Sequence, residues 1–345
     1  MSTISSQQER LIGLDALRGL AALAVVLFHY STSYQMQIGH ADPLPFHFYI
    51  GNYGVQLFFL ISGFVIFMTL ERTRRASDFV VSRFSRLFPA YWSAICLTLL
   101  TVTLIGLPQQ QLPARDLLAN FSMVQEFFGF RSIDGSYWTL EIELFFYVQM
   151  LFWYLLGMLE RIRWIIVGWL ALVLVYGLFV HNGWHFSYSV RELLILEYIP
   201  FFAIGILFYR IRTRPHETAA NALLIGACML VIGAVYRPDF FWVALTCVLI
   251  FTAFISGRLD WLGWRPLAFL GGISYSLYLL HQAIGFALIY RFQELGMPSV
   301  VACALTIACV ILLAWGLNVA VEKPAMRWLR DRWRDRVRRV QAPQH

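Results

Sequence analysis

Residues 12–33 read Ile-Gly-Leu-Asp-Ala-Leu-Arg-Gly-Leu-Ala-Ala-Leu-Ala-Val-Val-Leu-Phe-His-Tyr-Ser-Thr-Ser. A mostly apolar run of about 20 residues is what a helix needs to cross the hydrocarbon core of a bilayer. Three ionisable groups interrupt this one: Asp15, Arg18 and His29. Arg18 and His29 are separated by about three helical turns, so both project from one face, roughly 16 Å apart along the axis. Asp15 lies one turn before Arg18 on the same stripe, at the spacing of an ion pair. Such groups are costly in hydrocarbon, so that face must turn toward protein or water. A polar seam between packed helices would meet this requirement. So would a membrane-embedded site in which His29 transfers a proton, and that second reading is the one favoured.

The rest of the chain agrees with a membrane solvent. Its 345 residues are 59% hydrophobic and 14% charged, with a mean hydropathy of +0.64. A soluble domain carries nearer a quarter charged residues. The expectation is an all-α, polytopic transmembrane helical bundle of ten spans, at 12–33, 53–70, 88–107, 138–158, 162–180, 193–209, 219–235, 240–256, 270–290 and 299–320. Basic residues then alternate across the membrane. Twenty-one fall on the side of the N-terminus: Arg10 and those within 72–86, 161–163, 210–214, 258–265 and 323–339. Five fall opposite: Arg115, Arg131, Arg191, Arg237 and Arg291. The asymmetry predicts that both termini are cytoplasmic.

The formal charge of +7 is therefore read as topology, with the bilayer as partner and no nucleic acid. Residues 1–325 are expected to form one transmembrane domain, and 326–345 a basic tail against anionic lipid. The five cysteines, Cys96, Cys228, Cys247, Cys303 and Cys309, lie in apolar segments without a C-x-x-C pair. They read as small buried hydrophobes, with neither a disulfide framework nor a metal site. The N-terminus does not read as a cleaved signal.

Further motifs follow the first. Ser62-Gly63 in the second span allows close helix approach. The loop after it carries Arg83-Phe84-Ser85-Arg86-Leu87-Phe88-Pro89-Ala90-Tyr91-Trp92. Two arginines one turn apart can grip one phosphate-bearing ligand, or serve only as inside-positive anchors. The fourth span opens Trp138-Thr139-Leu140-Glu141-Ile142-Glu143, and two glutamates at that spacing point to nearly opposite faces. In the ninth span Ser274, Tyr278 and His281 form a second polar stripe, fitting either packing or catalysis. Val321-Glu322-Lys323-Pro324 reads as a helix terminus.

In this order the motifs resemble the integral-membrane acyltransferase family 3, the membrane O-acyltransferases of bacterial glycans and some antibiotics. The resemblance rests on Leu14, Asp15, Leu17, Arg18, Gly19 and His29; on Ser62, Gly63 and Phe64; on Arg83, Arg86, Pro89, Tyr91 and Trp92. It continues in Trp138, Leu140, Glu143, Phe146 and Tyr147, with Thr139 where the family has serine. It ends in Ser274, Tyr275, Tyr278, Leu279, His281, Glu322 and Pro324. It selects Glu143 over Glu141. It implies a short form, without the hydrolase-like domain that longer members append.

The resemblance further implies transfer of an acyl group, commonly acetyl, from cytoplasmic acyl-CoA to a sugar hydroxyl. The donor would be a substrate, with no tightly bound cofactor. His29, Arg18, Asp15 and Glu143 would be catalytic. Arg83, Arg86, Ser62, Gly63, Trp138, Tyr147, Tyr278 and His281 would line the substrate site. A histidine near neutrality suits removal of the acceptor's proton. Arg18 would orient the donor or stabilise negative charge, and Asp15 would position it. An acyl-histidine intermediate is equally allowed. The rival reading is a proton-coupled transporter or flippase, against which stands the lack of an internal inverted repeat. A scaffold subunit would leave His29 and Arg18 unexplained.

Overall fold

The computed structural model describes residues 2–105 and 112–341, with side chains over 13–105 and 112–339. Arg10, the end of the third predicted span and the extreme tail lie outside what is described at that level. Among the described residues the chain is helical, with no strand. In chain order come α1 (Ser2–Phe28), α2 (Tyr34–Gln37), α3 (Gly54–Glu71), α4 (Ala76–Ile105) and α5 (Ala114–Asn120). Next are α6 (Trp138–Leu155), α7 (Ile162–His181), α8 (Tyr188–Leu193), α9 (Ile199–Thr213) and α10 (Thr218–Val235). The last are α11 (Pro238–Ile255), α12 (Arg265–Leu280), α13 (Gln282–Glu294), α14 (Ser299–Leu317) and α15 (Lys323–Gln341).

Each of the ten predicted spans overlaps a helix. Among the described residues, seven helical stretches are long and apolar enough to cross a bilayer, and α12 with α13 makes an eighth if the bent pair is one span. Two predicted spans fall short of that measure. Helix α9 has 15 residues, and the 18 residues of α6 include Glu141, Glu143 and Gln149. This is a multi-pass membrane protein.

Three local expectations need correction. Arg83 and Arg86 lie within a helix, not a loop, because α4 starts at Ala76 and carries Pro89 in its interior. The third predicted span begins at residue 88, but the residues before Pro89 are helical too and pack, with Phe79 and Leu87 buried. The ninth span is not straight: α12 and α13 meet at a bend of 74° around His281. Glu322-Lys323-Pro324 is not a terminus. The π-helical turn Asn318–Glu322 joins α14 to α15, with the Lys323 N–H donating to the Asn318 carbonyl. The wider turn relieves the clash that Pro324 would make in a regular α-helix.

The chain forms two compact units. One holds the residues up to Val25, Ile50–Arg72 and Trp138–Gly272; the other holds Val26–Tyr49, Thr73–Tyr137 and the residues from Ile273 on. In the first, α3 and α9 approach through glycine. A Cβ on Gly63 would sit 2.1 Å from the Phe202 carbonyl oxygen, and one on Gly205 would sit 2.0 Å from that of Leu60. Phe202 stacks between Phe59 and Phe146, at ring separations of 4.9 and 4.1 Å. The second unit is built around the α12–α13 bend and the two π-helical turns, His29–Ser33 and Asn318–Glu322.

Candidate active site

A break in a membrane helix exposes backbone groups that lipid cannot satisfy, so other groups must. At the α12–α13 bend three partners do so. The Tyr137 hydroxyl donates to the Leu279 carbonyl at 3.1 Å, and the Tyr30 hydroxyl donates to the His281 carbonyl at 2.7 Å. The Ala283 N–H donates to Asp134 Oδ2 at 2.8 Å. Gly285 makes room for Tyr30, since a Cβ there would lie 2.1 Å from the phenolic oxygen. The bend is thus a built feature, and it leaves His281 fully buried at its apex.

His281 faces His29. Its Nε2 lies 3.2 Å from His29 Nδ1, and its own Nδ1 lies 2.6 Å from the Tyr278 carbonyl oxygen. A carbonyl only accepts, so the network assigns the proton of neutral His281 to Nδ1. Nε2 of His281 is then an acceptor, and His29 donates to it from Nδ1. His29 opens a π-helical turn whose Tyr34 N–H returns to its carbonyl. Such bulges are frequent at functional sites. His29 is partly exposed while His281 is buried.

Asp134 is a group that sequence reasoning missed. It is buried, and besides Ala283 it accepts from the Ser136 N–H and hydroxyl at 2.8 and 2.6 Å. Burial pushes its carboxyl above the usual carboxylate range, against these hydrogen bonds and the positive charge that His29 can carry. The Asp134-Gly135-Ser136 turn just before Trp138 was its sequence signal, hidden in a stretch that reads as an ordinary loop.

In the first unit three predicted residues come together. Ser62 donates to Glu143 Oε1 at 3.0 Å, and Tyr147 donates to the same oxygen. Trp138 instead packs against Phe59 and Tyr198. Gly63 serves the contact with α9 described above. Asp15 is exposed and Arg18 partly so. The Asp15 backbone lies against Gly271, where a Cβ would come within 2.1 Å of its carbonyl oxygen. Arg18 thus belongs to the first unit and His29 to the second, although one helix carries both.

The two arginines of α4 have different partners. Arg86 pairs with Glu322, whose side chain is 0% exposed and which also accepts from Ser276 at 2.6 Å and Asn318 at 2.9 Å. Arg83 donates to Ser82 at 3.2 Å and lies over the Phe79 ring. Ser276, not Ser274, is the serine of α12 that reaches this carboxylate.

The model of a family described as an acyltransferase domain matches residues 11–319. The chain belongs to this acyltransferase family. It is an enzyme that transfers acyl groups other than aminoacyl groups. It is 26% identical to Acyltransferase MdmB of Streptomyces mycarofaciens, over 93% of this chain and 92% of that one. It is 29% identical to Exopolysaccharide production protein ExoZ of Rhizobium meliloti (strain 1021), over 88% of this chain and 96% of that one. No solved structure matches it significantly. In an acyltransferase, a histidine pair of which one member is partly exposed is a candidate acid–base site.

Proposed function

We propose that this acyltransferase moves an acyl group, commonly acetyl, from acyl-CoA to a sugar hydroxyl of an exported or surface glycan or a glycosylated small molecule. His29 takes the hydroxyl proton as the oxygen attacks the thioester carbonyl. The tetrahedral intermediate collapses with loss of the coenzyme A thiolate, which takes the proton back from His29. His281 holds the tautomer and shares the transient charge. Glu143, with Ser62 and Tyr147, and Arg18, with Asp15, complete the catalytic set. Arg83 serves the donor phosphates, with Arg86 held at its place in α4 by Glu322. The observation that carries this reading is the chain from the Tyr278 carbonyl through His281 to His29. The name of the rhizobial relative, an exopolysaccharide production protein, supports a glycan acceptor.

The purified protein should turn over labelled acyl-CoA in the presence of a glycan acceptor. His29→Ala should reduce turnover by about 10²- to 10⁴-fold, the range of a lost general base, with folding unchanged by circular dichroism. Activity within several-fold of wild type would remove His29 from the mechanism. The proposal includes ten spans with cytoplasmic termini in a bacterial inner membrane. A C-terminal fluorescent-protein fusion should therefore glow and a C-terminal phosphatase fusion stay silent. The opposite pattern would reverse the orientation and separate a cytoplasmic donor from an exported acceptor.

A further inference from the structure

Within the second unit, the first turns of α4 and the outer half of α15 enclose a groove of about 550 Å³. That volume falls within the ~300–1,000 Å³ of small-molecule sites. Asp78, Ser82, Arg330, Trp333 and Arg334 line it. Arg330, partly exposed, bonds Ser85 Oγ at 3.2 Å and the Ser82 carbonyl and hydroxyl at 3.3 Å. All these partners are neutral, and no carboxylate among the described residues pairs with Arg330. Meanwhile the charges of Arg83, Arg86 and Arg334 all bear on it. Of these, Arg86 is neutralised by Glu322, and Arg334 meets Asp331 in an exposed pair, which is worth little in water.

A guanidinium without a counterion, in a field of like charge, is expensive for the protein alone. An anion in the groove offsets that cost, and phosphate oxygens match the guanidinium fork. The groove wall adds a second feature. Trp333 Nε1 donates to Asp78 Oδ1 at 2.7 Å, which fixes the indole plane beside the arginines. A fixed aromatic face is a platform for a base. Asp78 is also an acceptor suited to an exocyclic amine and ill suited to a bare phosphodiester. Phosphate, aromatic face and amine acceptor together describe a purine nucleotide better than a lipid headgroup.

We propose that the groove between α4 and α15 binds the phosphorylated adenosine end of the acyl-CoA donor, with phosphate on Arg330 and Arg334 and the purine against Trp333. This rests on the acyl-CoA reading above. It turns the basic tail from a membrane anchor into part of the donor site.

The test uses the purified full chain in neutral detergent, with adenosine 3′,5′-bisphosphate as probe. Wild type should bind it with quenching of tryptophan fluorescence. Arg330→Gln and Trp333→Leu should each weaken binding about tenfold, as loss of one stacking or charge-assisted contact does. In turnover the same variants should raise KM for acyl-CoA about tenfold and leave kcat unchanged. KM for an acyl-pantetheine donor, which lacks the nucleotide, should move far less. Equal shifts for both donors, or no bisphosphate binding by wild type, would overturn the proposal. So would variants that lose binding to phosphatidylglycerol nanodiscs while keeping wild-type affinity for the bisphosphate, since the groove would then hold a lipid headgroup. A wild type that binds the bisphosphate but turns over no acyl-CoA would instead sink the donor reading and leave the nucleotide groove standing.

Discussion

Two glutamates set in apolar helical surroundings, one in each unit, differ in what holds them. Glu322 is fully enclosed and meets the guanidinium of Arg86, the Ser276 hydroxyl and the Asn318 amide. Glu143 is partly exposed and meets only hydroxyl donors in the contacts described, from Ser62 and Tyr147. A buried carboxylate matched by a partly enclosed cation is committed to structure, because removing the cation strands a buried charge. One held by neutral hydroxyls can accept a proton, or lend its charge to another group, without dismantling an ion pair. The same side chain is therefore a strut in one unit and, in the function proposed, a working group in the other.

The strut is tested by removing its cation. Arg86→Ala should cost about 3–5 kcal/mol, the penalty of an uncompensated buried charge, measured by denaturant unfolding in detergent. Glu322→Gln in the same background should recover part of it. A fully stable Arg86→Ala would dissolve the contrast. It also follows that loss of activity in an Arg86 variant does not by itself report on donor binding, whereas Arg83→Ala is the cleaner probe. The working group should behave oppositely. Glu143→Gln should lower turnover by about 10²-fold, at the low end for an acid–base group, while the melting temperature stays near wild type. A large loss of stability with unaltered turnover of the folded fraction would make Glu143 a second strut. Smallest of the three, Tyr147→Phe removes one hydrogen bond, worth about 0.5–1.5 kcal/mol, and should slow turnover by about three- to tenfold. No change in rate would mean that Ser62 alone orients the carboxylate.

The sequence puts Glu143 forward over Glu141 through a resemblance in which Trp138, Glu143 and Tyr147 keep their spacing. That Tyr147 reaches Glu143 follows from helical geometry, since residues four apart are neighbours. Ser62 could not be joined to them from sequence, because it lies on another helix. The same limit explains the errors around α4. Pro89 is a reliable local signal of a helix start, yet the packing of Phe79, Leu87 and the α15 contacts through Arg330 and Trp333 extends the helix through it. Asp134 was invisible for a related reason. Its role depends on the N–H of Ala283, which exists as an unpaired donor only because α12 and α13 part company at His281.

By itself, the sequence determined that this chain lives in a bilayer, that it is helical, and which side chains are too costly in hydrocarbon to be there without purpose. Those conclusions rest on properties each segment carries alone: apolar length, helical periodicity, and the free-energy cost of burying a charge. Only the tertiary structure decided that His29 meets His281. It alone showed that the ninth span bends by 74° and that Glu322 belongs to Arg86. Each of these is a meeting of groups far apart in the chain. Local preference cannot encode such meetings, because the helix that supplies one partner is equally stable wherever the other happens to lie.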